Sequence, residues 1–307
     1  MILLCGIATE APLALVADEL RAAGCGFLVV HQRGWAQWGL AARVENGAVS
    51  GHLRVGATTV ALEDVRAVYT RLMDDRRLPE VETLAVDDPG RARCRAVHHA
   101  LTRWLELSPS RVVNRGRAQL SNGSKPYQAQ LIRRHGLRVP ETLVTDDPQA
   151  VLAFRERHGR VVFKSTSGMR SIVRELEEGD LARLESIRWC PVQFQQRVEG
   201  MDVRVHCVGG EVHACAITSP AVDYRYAVRE IGAPPVLEPY ALSDDLAARC
   251  LELTGALGLE LAGIDLRLGP DGEAWCFEVN PSPAYSYYEQ HTGAPIARAI
   301  ARHLATA

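Results

Sequence analysis

Apolar positions recur along the chain with two different periods, and each period predicts its own kind of element. Ile2 to Cys5 and Phe27 to Val30 are short continuous apolar runs, and between them Leu13, Val16, Ala17 and Leu20 repeat at helical spacing before a stop at Gly24. That order predicts strand, helix, strand. The stretches Ala42 to Val55, broken by Asn46-Gly47, and Thr59 to Leu62 predict short strands with a hairpin. Residues 87–105 read as a helix that leads out of this first unit.

A second unit opens near Val112. Ser124 is a candidate N-cap, Lys125 and Pro126 open a helix carrying Ala129, Leu131 and Ile132, and Gly136 ends it before a strand over Val139 to Thr145. Asp146-Asp147-Pro148 starts the next helix. Val161-Val-Phe-Lys164 follows as a strand that ends in a cation and runs into the small-residue segment Ser165 to Ser171. Backbone N–H groups in such a segment can approach phosphate oxygens. The third unit begins with Pro191 to Val198, continues through strands around 203–208 and 211–218 and a helix near 243–257, and closes with an amphipathic helix over 292–304.

The most distinctive alternation is Leu261 to Arg267, a Gly-Pro-Asp-Gly turn, and Trp275 to Asn280, which predicts a hairpin of half-buried strands. If Leu268 and Glu273 close it, Asp265 falls opposite Cys276 and diagonal to Glu278, while Glu278 and Asn280 share a face. Three oxygen donors then converge within reach of a hard cation such as Mg²⁺.

Composition narrows the class without naming a chemistry. The 307 residues are 47% hydrophobic and 23% charged, enough for a sizeable core divided into two or three lobes. A formal net charge of −2 gives no electrostatic reason to expect nucleic acid, and no apolar run approaches the roughly 18 residues of a membrane span. Met1 to Gly6 superficially resembles a lipoprotein cleavage box, but no basic or apolar leader precedes Cys5, and the pattern suits a first core strand. The first βαβ segment lacks a G-x-G-x-x-G fingerprint, so a dinucleotide site is not expected there. The eight scattered cysteines form no C-x-x-C pair and read as buried thiols of a reducing, cytoplasmic protein.

In order along the chain, Lys125, Lys164, the run Gln195 to Arg204, Asp265 and Glu278-Val-Asn280 resemble the ATP-grasp superfamily. Val113-Asn114-Arg115, Ser124-Lys-Pro-Tyr-Gln128, the Leu137 to Pro148 segment, Val222-Asp-Tyr-Arg225 and Thr292 to Ile296 narrow the similarity to the RimK-like branch, and within it to the microviridin-type peptide ligases, or graspetide synthetases. The similarity covers most of residues 110–304, and Leu62 to Arg71 is similar to their N-terminal lobe.

The resemblance implies an α/β (α+β) ATP-grasp fold: an N-terminal pre-grasp lobe (1–110), a central lobe (111–190) and a C-terminal lobe (191–307) enclosing the nucleotide. It implies ATP and Mg²⁺, with Asp265, Glu278 and Asn280 as metal ligands and Lys125 and Lys164 on phosphates. Gln195, Gln196, Arg197 and Val198 would form the adenine hinge, Asp202 would bind ribose, and Arg204 would sit on the transferring phosphoryl group or the oxyanion. Arg225 would hold the acidic side chain of the substrate.

The implied reaction activates a carboxylate as an acyl phosphate for attack by an amine or hydroxyl, on a precursor peptide or on a small-molecule carboxylate and amine. Nucleic acid and membrane partners are not expected, and a homodimer is left open. A nucleotide-binding protein without ligase activity is a third reading, disfavoured by the intact metal set and arginine. Two segments depart from the family pattern. Gln196-Arg197 stands where an acidic residue and an aromatic are usual, and Pro281 to Glu289 lacks the usual glycine, glutamine and tryptophan. Tyr285, Tyr287 and Tyr288 either line a different substrate or pack against the final helix.

Overall fold

The computed structural model describes residues 1–166, 172–220 and 223–307, without the side chains of Arg225, Glu230 and Ile231. Most of the small-residue segment after Lys164, and Val222, therefore lie outside the described residues.

β1 (Ile2–Gly6), α1 (Ala11–Ala22) and β2 (Phe27–His31) form the expected strand, helix, strand unit. β3 (Trp38–Glu45), β4 (Ala48–Val55) and β5 (Thr58–Ala61) make a small antiparallel sheet whose first hairpin turns at Asn46-Gly47, with φ of 51° and 82°. Positive φ at both central residues is what that dipeptide tolerates best. β6 (Ala67–Arg71), α2 (Pro79–Glu82), α3 (Pro89–Leu107) and β7 (Arg111–Val113) complete a parallel sheet in the order β2-β1-β6-β7. Alternation in β1 covers both faces of this sheet. Ile2 and Leu4 pack with Leu13 and Leu20 of α1, while Leu3 and Cys5 pack with Leu101 and Trp104 of α3.

α4 (Gly116–Gln119) and α5 (Lys125–Arg134) lead to a second sheet built from β8 (Thr142–Thr145), β9 (Val161–Ser165), β10 (Arg174–Glu175) and, after α6 (Pro148–His158) and α7 (Glu178–Leu181), β11 (Val192–Gln196). Its order is β10-β9-β11-β8. Phe163 and Phe194 enter a core with Val151 and Phe154 of α6. Their neighbours in sequence, Lys164, Gln193 and Gln195, turn to the opposite face.

The third sheet has the order β14-β13-β12-β15-β16, from β12 (Met201–Val208), β13 (Glu211–Thr218), β14 (Val236–Tyr240), β15 (Leu261–Leu268) and β16 (Ala274–Asn280), with α8 (Ala227–Ile231) and α9 (Asp244–Ala256) between them. Ser243 caps α9 by accepting from the Leu246 N–H. Val203, Val205, Cys207, Ile264 and Leu266 pack with Leu246, Cys250 and Leu253 of α9 and with Ile132 of α5. α10 (Ser286–Thr292) and α11 (Ile296–Ala305) close the chain, and Ile296, Ile300 and Leu304 return to the first lobe against α1.

Pairing moves two strands relative to the expected units. β7 is the fourth strand of the first sheet and β11 an inner strand of the second, so sheet membership changes after Val113 and after Gln196. Composition marks the turns in this chain, whereas hydrogen-bonded neighbours decide which sheet a strand joins.

All eight cysteines are free, and six of them are buried. Cys25 is half-buried, and Cys190 differs from the expectation in being exposed. It lies just before β11, outside that strand's paired residues.

Candidate active site

The cleft-facing residues of the second and third sheets enclose a cavity of about 820 Å³. Lys125, Lys164, Gln195, Gln196, Arg197, Val198, Asp202, Asp265 and Glu278 all line it, on elements as distant in sequence as α5 and β16. Antiparallel pairing explains why. β12 places Arg204 opposite Asp265 and Asp202 opposite Arg267, so four charged residues of two strands stand on one face. Their alternates Val203, Val205, Ile264 and Leu266 point the other way, into the core.

The hairpin register corrects the sequence expectation. It closes on Leu268 and Ala274, and Cys276 lies opposite Leu266, but the register then shifts so that Glu278 is directly opposite Asp265. Phe277 is the extra residue of a β-bulge. The reason is the phase of the apolar residues. Ala274, Cys276 and Val279 all belong to one core, and residues three apart cannot share a face in a regular strand. The inserted residue lets Val279 enter the core and sends Glu278 to the cleft. Ala274, Cys276 and Val279 carried this signal in the sequence as a break in alternation.

Ion pairs on this face are short. Arg204 Nη1 lies 2.5 Å from Asp265 Oδ1, and Lys125 Nζ lies 3.1 Å from Glu278 Oε2. Lys125 also donates to Asn122 Oδ1 at 2.7 Å. Burial opposes ionisation of Glu278, but the charge and hydrogen bond of Lys125, then Arg204 and Lys164, outweigh it and hold the carboxyl below its usual range. Burial likewise opposes the Arg204 charge, and Asp265 more than offsets this, raising its proton affinity further. Asp202 goes the other way: burial raises its carboxyl, and the Arg267 guanidinium only partly compensates.

Asn280 pairs with Gly263 across the hairpin and its Oδ1 accepts the Ser282 N–H at 2.9 Å; it does not line the cavity. Two carboxylates and an amide oxygen are a donor set suited to a hard divalent cation. Among the described residues there is no group of three or more His, Cys, Asp or Glu that offers another metal site.

Around the hinge, Gln195 Nε2 donates to Thr142 Oγ1 at 3.0 Å, and the Gln196 and Arg197 N–H groups bond to Glu141 and Arg160 carbonyls at 2.9 and 3.0 Å. The Arg197 side chain is tied to Glu175 and Glu199 and does not act as an aromatic lid. Arg225 lies in a short helical turn over Tyr224–Tyr226, and its side chain is outside the described residues.

Sequence reasoning missed three contributors: Arg267, Tyr224 and Gly263. Arg267 grips both Asp202 oxygens, at 2.7 and 2.8 Å, donates to the Val198 carbonyl at 2.9 Å, and lies 5.3 Å over the Phe277 ring. It thereby couples the expected ribose and adenine positions. Tyr288 and Tyr224 share a hydroxyl contact of 2.9 Å, with Arg204 5.5 Å over the Tyr288 ring. Tyr285 is fully buried with α1 and α11, and Tyr287 packs edge-on against Tyr288, so packing accounts for Tyr285 and an arginine contact for Tyr288.

The third is Gly263. A Cβ built there would stand 2.3 Å from Arg204 Nη2 and 2.7 Å from Pro283 Cβ. Its signal was a glycine inside a strand, which marks close approach. Gly263→Ala is expected to displace the guanidinium from Asp265 and lower turnover by about 100-fold, the scale of losing one aimed donor. A circular-dichroism spectrum like that of the parent should accompany the loss; turnover within threefold of the parent would count against the packing role.

The chain superposes on a Chryseobacterium gregarium RiPP-associated ATP-grasp ligase, solved with ADP and a leader and core peptide, with a TM-score of 0.83 and 22% identity over 99% of this chain and 96% of that one. The ATP-grasp ligase PsnB, solved with its minimal precursor, is 28% identical with a TM-score of 0.78, covering 99% of this chain and 98% of that one. Residues 123–304 match the RimK-like ATP-grasp domain, and the chain belongs to that family. It is an ATP-grasp ligase. A probable alpha-L-glutamate ligase of Xanthomonas euvesicatoria pv. vesicatoria is 28% identical over 216 residues, 67% of this chain and 72% of that relative. Among the described residues, no helix is long and apolar enough to cross a membrane.

Proposed function

We propose that the protein joins Asp or Glu side chains of a ribosomally made precursor peptide to Lys, Ser or Thr side chains, forming lactam or lactone cross-links at the expense of ATP. The observation that carries this reading is the match to PsnB along nearly the whole of both chains, N-terminal lobe included, at 28% identity.

In the reaction, a carboxylate oxygen of the substrate takes the γ-phosphoryl group and ADP leaves. The amine or hydroxyl then attacks the acyl carbon, inorganic phosphate leaves, and the nucleophile's proton is lost. Bringing one anion up to another requires cations in place beforehand. Lys125 and Lys164 supply them from α5 and β9, as point charges on the α- and β-phosphates. Arg204, held by Asp265, presents its planar fork to the transferring group or to the developing oxyanion.

Asp265, Glu278 and Asn280 would hold Mg²⁺, which supplies charge neutralisation at the phosphate oxygens. Gln196 to Val198 would receive adenine, with Asp202 on ribose and Arg225 on the acidic side chain of the substrate.

The experiment is incubation with ATP, Mg²⁺ and a peptide rich in Thr, Asp, Glu and Lys, followed by mass spectrometry. Loss of about 18 Da per bond is expected, the dehydration that phosphoryl-driven coupling delivers. An unmodified peptide, together with ligation of free glutamate, would favour a small-peptide ligase, the reading to which the glutamate-ligase relatives point.

A further inference from the structure

We infer that Gln128 is a positioning residue: it locks the lysine-bearing end of α5 to the strand that carries Glu278 and Asn280. The inference rests on the reading of the cleft as a nucleotide site and adds to it a residue with no assigned role.

β16 is the edge strand of its sheet, so the outer row of its backbone groups needs partners from elsewhere. Before the bulge these come from another backbone segment. The Arg138 N–H bonds to the Ala274 carbonyl at 3.0 Å, and the Cys276 N–H to the Arg138 carbonyl at 2.8 Å. Beyond the bulge a side chain takes over. Gln128 Nε2 donates to the Val279 carbonyl at 2.8 Å, and Gln128 Oε1 accepts the Val279 N–H at 3.0 Å. The carboxamide copies the donor and acceptor of a neighbouring strand, and Gln128 is fully buried while doing so.

Val279 is the residue between Glu278 and Asn280, and Gln128 is three residues beyond Lys125 on the same helix. Residues at that spacing are neighbours on a helix surface. One end of α5 therefore contacts two consecutive residues of β16: Lys125 with Glu278 at 3.1 Å, and Gln128 with Val279. The two hydrogen bonds fix the helix along the strand to within the tolerance of that geometry, whereas apolar packing is non-directional. Adhesion of α5 has a separate source, since Ile132 is buried in the same core as Val279, with Leu131 packed against it. Gln128 thus supplies register where Ile132 and Leu131 supply attachment.

The test is a double-mutant cycle on the full-length protein, with Mg·ADP affinity measured by titration calorimetry. Gln128→Asn is one methylene too short to reach Val279 and is expected to weaken Mg·ADP binding about tenfold, as Lys125→Met is, each removing a charge-assisted contact or its alignment. With Lys125 already replaced, Gln128→Asn should cost less than a further twofold, because there is no ammonium left to place. An equal loss with and without Lys125, or no loss in either background, would overturn the inference, because general loosening of the core is indifferent to that charge.

Should Gln128→Asn not fold, Gln128→Glu, which keeps an acceptor for the Val279 N–H, is taken through the same cycle. A loss that depends on Lys125 supports the inference there too, and a loss indifferent to Lys125 overturns it. A parent protein that does not bind Mg·ADP would remove the nucleotide reading itself, and this inference with it.

Discussion

Glu278→Gln is expected to lower ADP formation in the presence of substrate by on the order of 10³-fold while leaving the fold in place, the upper end of what one preorganised electrostatic group contributes. The amide has the shape of the carboxylate and lacks its charge. Glu278 stands directly across the strand from Asp265 and 3.1 Å from Lys125, so the change removes one of two anionic oxygens offered to a hard cation and releases the lysine from its partner. Both side chains of the Lys125 pair retain contact with solvent, 34% and 28% exposed, so the effect on stability should be small.

The sign of that small effect follows from the direction of the shift. The folded protein holds the Glu278 carboxyl below its usual range, so its contribution is present above about pH 4.3, the ordinary glutamate value, and disappears as the pH falls through the folded value. Thermal unfolding of parent and variant should converge in acid. Coupled ADP release measures the main effect, and turnover within tenfold of the parent would refute the placement of Glu278 in the metal set.

Arg204→Lys is expected to lower turnover by on the order of 10²- to 10³-fold with the Michaelis constant for ATP changed by only a few fold, as for loss of a group aimed at the transition state. The positive charge is kept, so the prediction separates geometry from charge. Arg204 bonds Asp265 at 2.5 Å, directs Nε toward His206 Nε2 at 3.5 Å and lies over the Tyr288 ring. An ammonium cannot meet all three at once, because it lacks the planar fork. His206 can serve as an acceptor here: burial first, and Arg204 second, keep the imidazole neutral by lowering its proton affinity well below the ordinary value. Steady-state kinetics of the lysine variant give the answer directly. Retention of more than a tenth of the parent turnover would show that positive charge alone suffices at this position.

Much of the frame can be read along the chain because it depends on local rules. The Asn46-Gly47 hairpin, the α1 stripe and the Ser243 cap of α9 each require only neighbouring residues to agree. The order of Lys125, Lys164, Arg204, Asp265, Glu278 and Asn280 marked a family because each group suits one part of a metal–nucleotide site and their order along the chain is distinctive. The hairpin was half legible. Its strands and turn follow from alternation, but the expected register of Asp265 opposite Cys276 is two residues off: the hairpin closes on Ala274 rather than Glu273, and the extra residue at Phe277 adds the second shift.

Sequence by itself determined which residues carry charge toward the cleft and which enter the core, since alternation in β12 and β15 sorts Asp202, Arg204, Asp265 and Arg267 from Val203, Val205, Ile264 and Leu266. Tertiary structure alone decided which of these meet. Asp265 and Glu278 face each other because Val279 must be buried with Cys276, Arg267 joins Asp202 to the hinge across strands 65 residues apart, and Gln128 reaches Val279 across 151. The physical reason is that burial is a property of a residue and can be read one position at a time, whereas a hydrogen bond or ion pair needs two groups within about 3 Å, a distance set by the packing of whole sheets and helices.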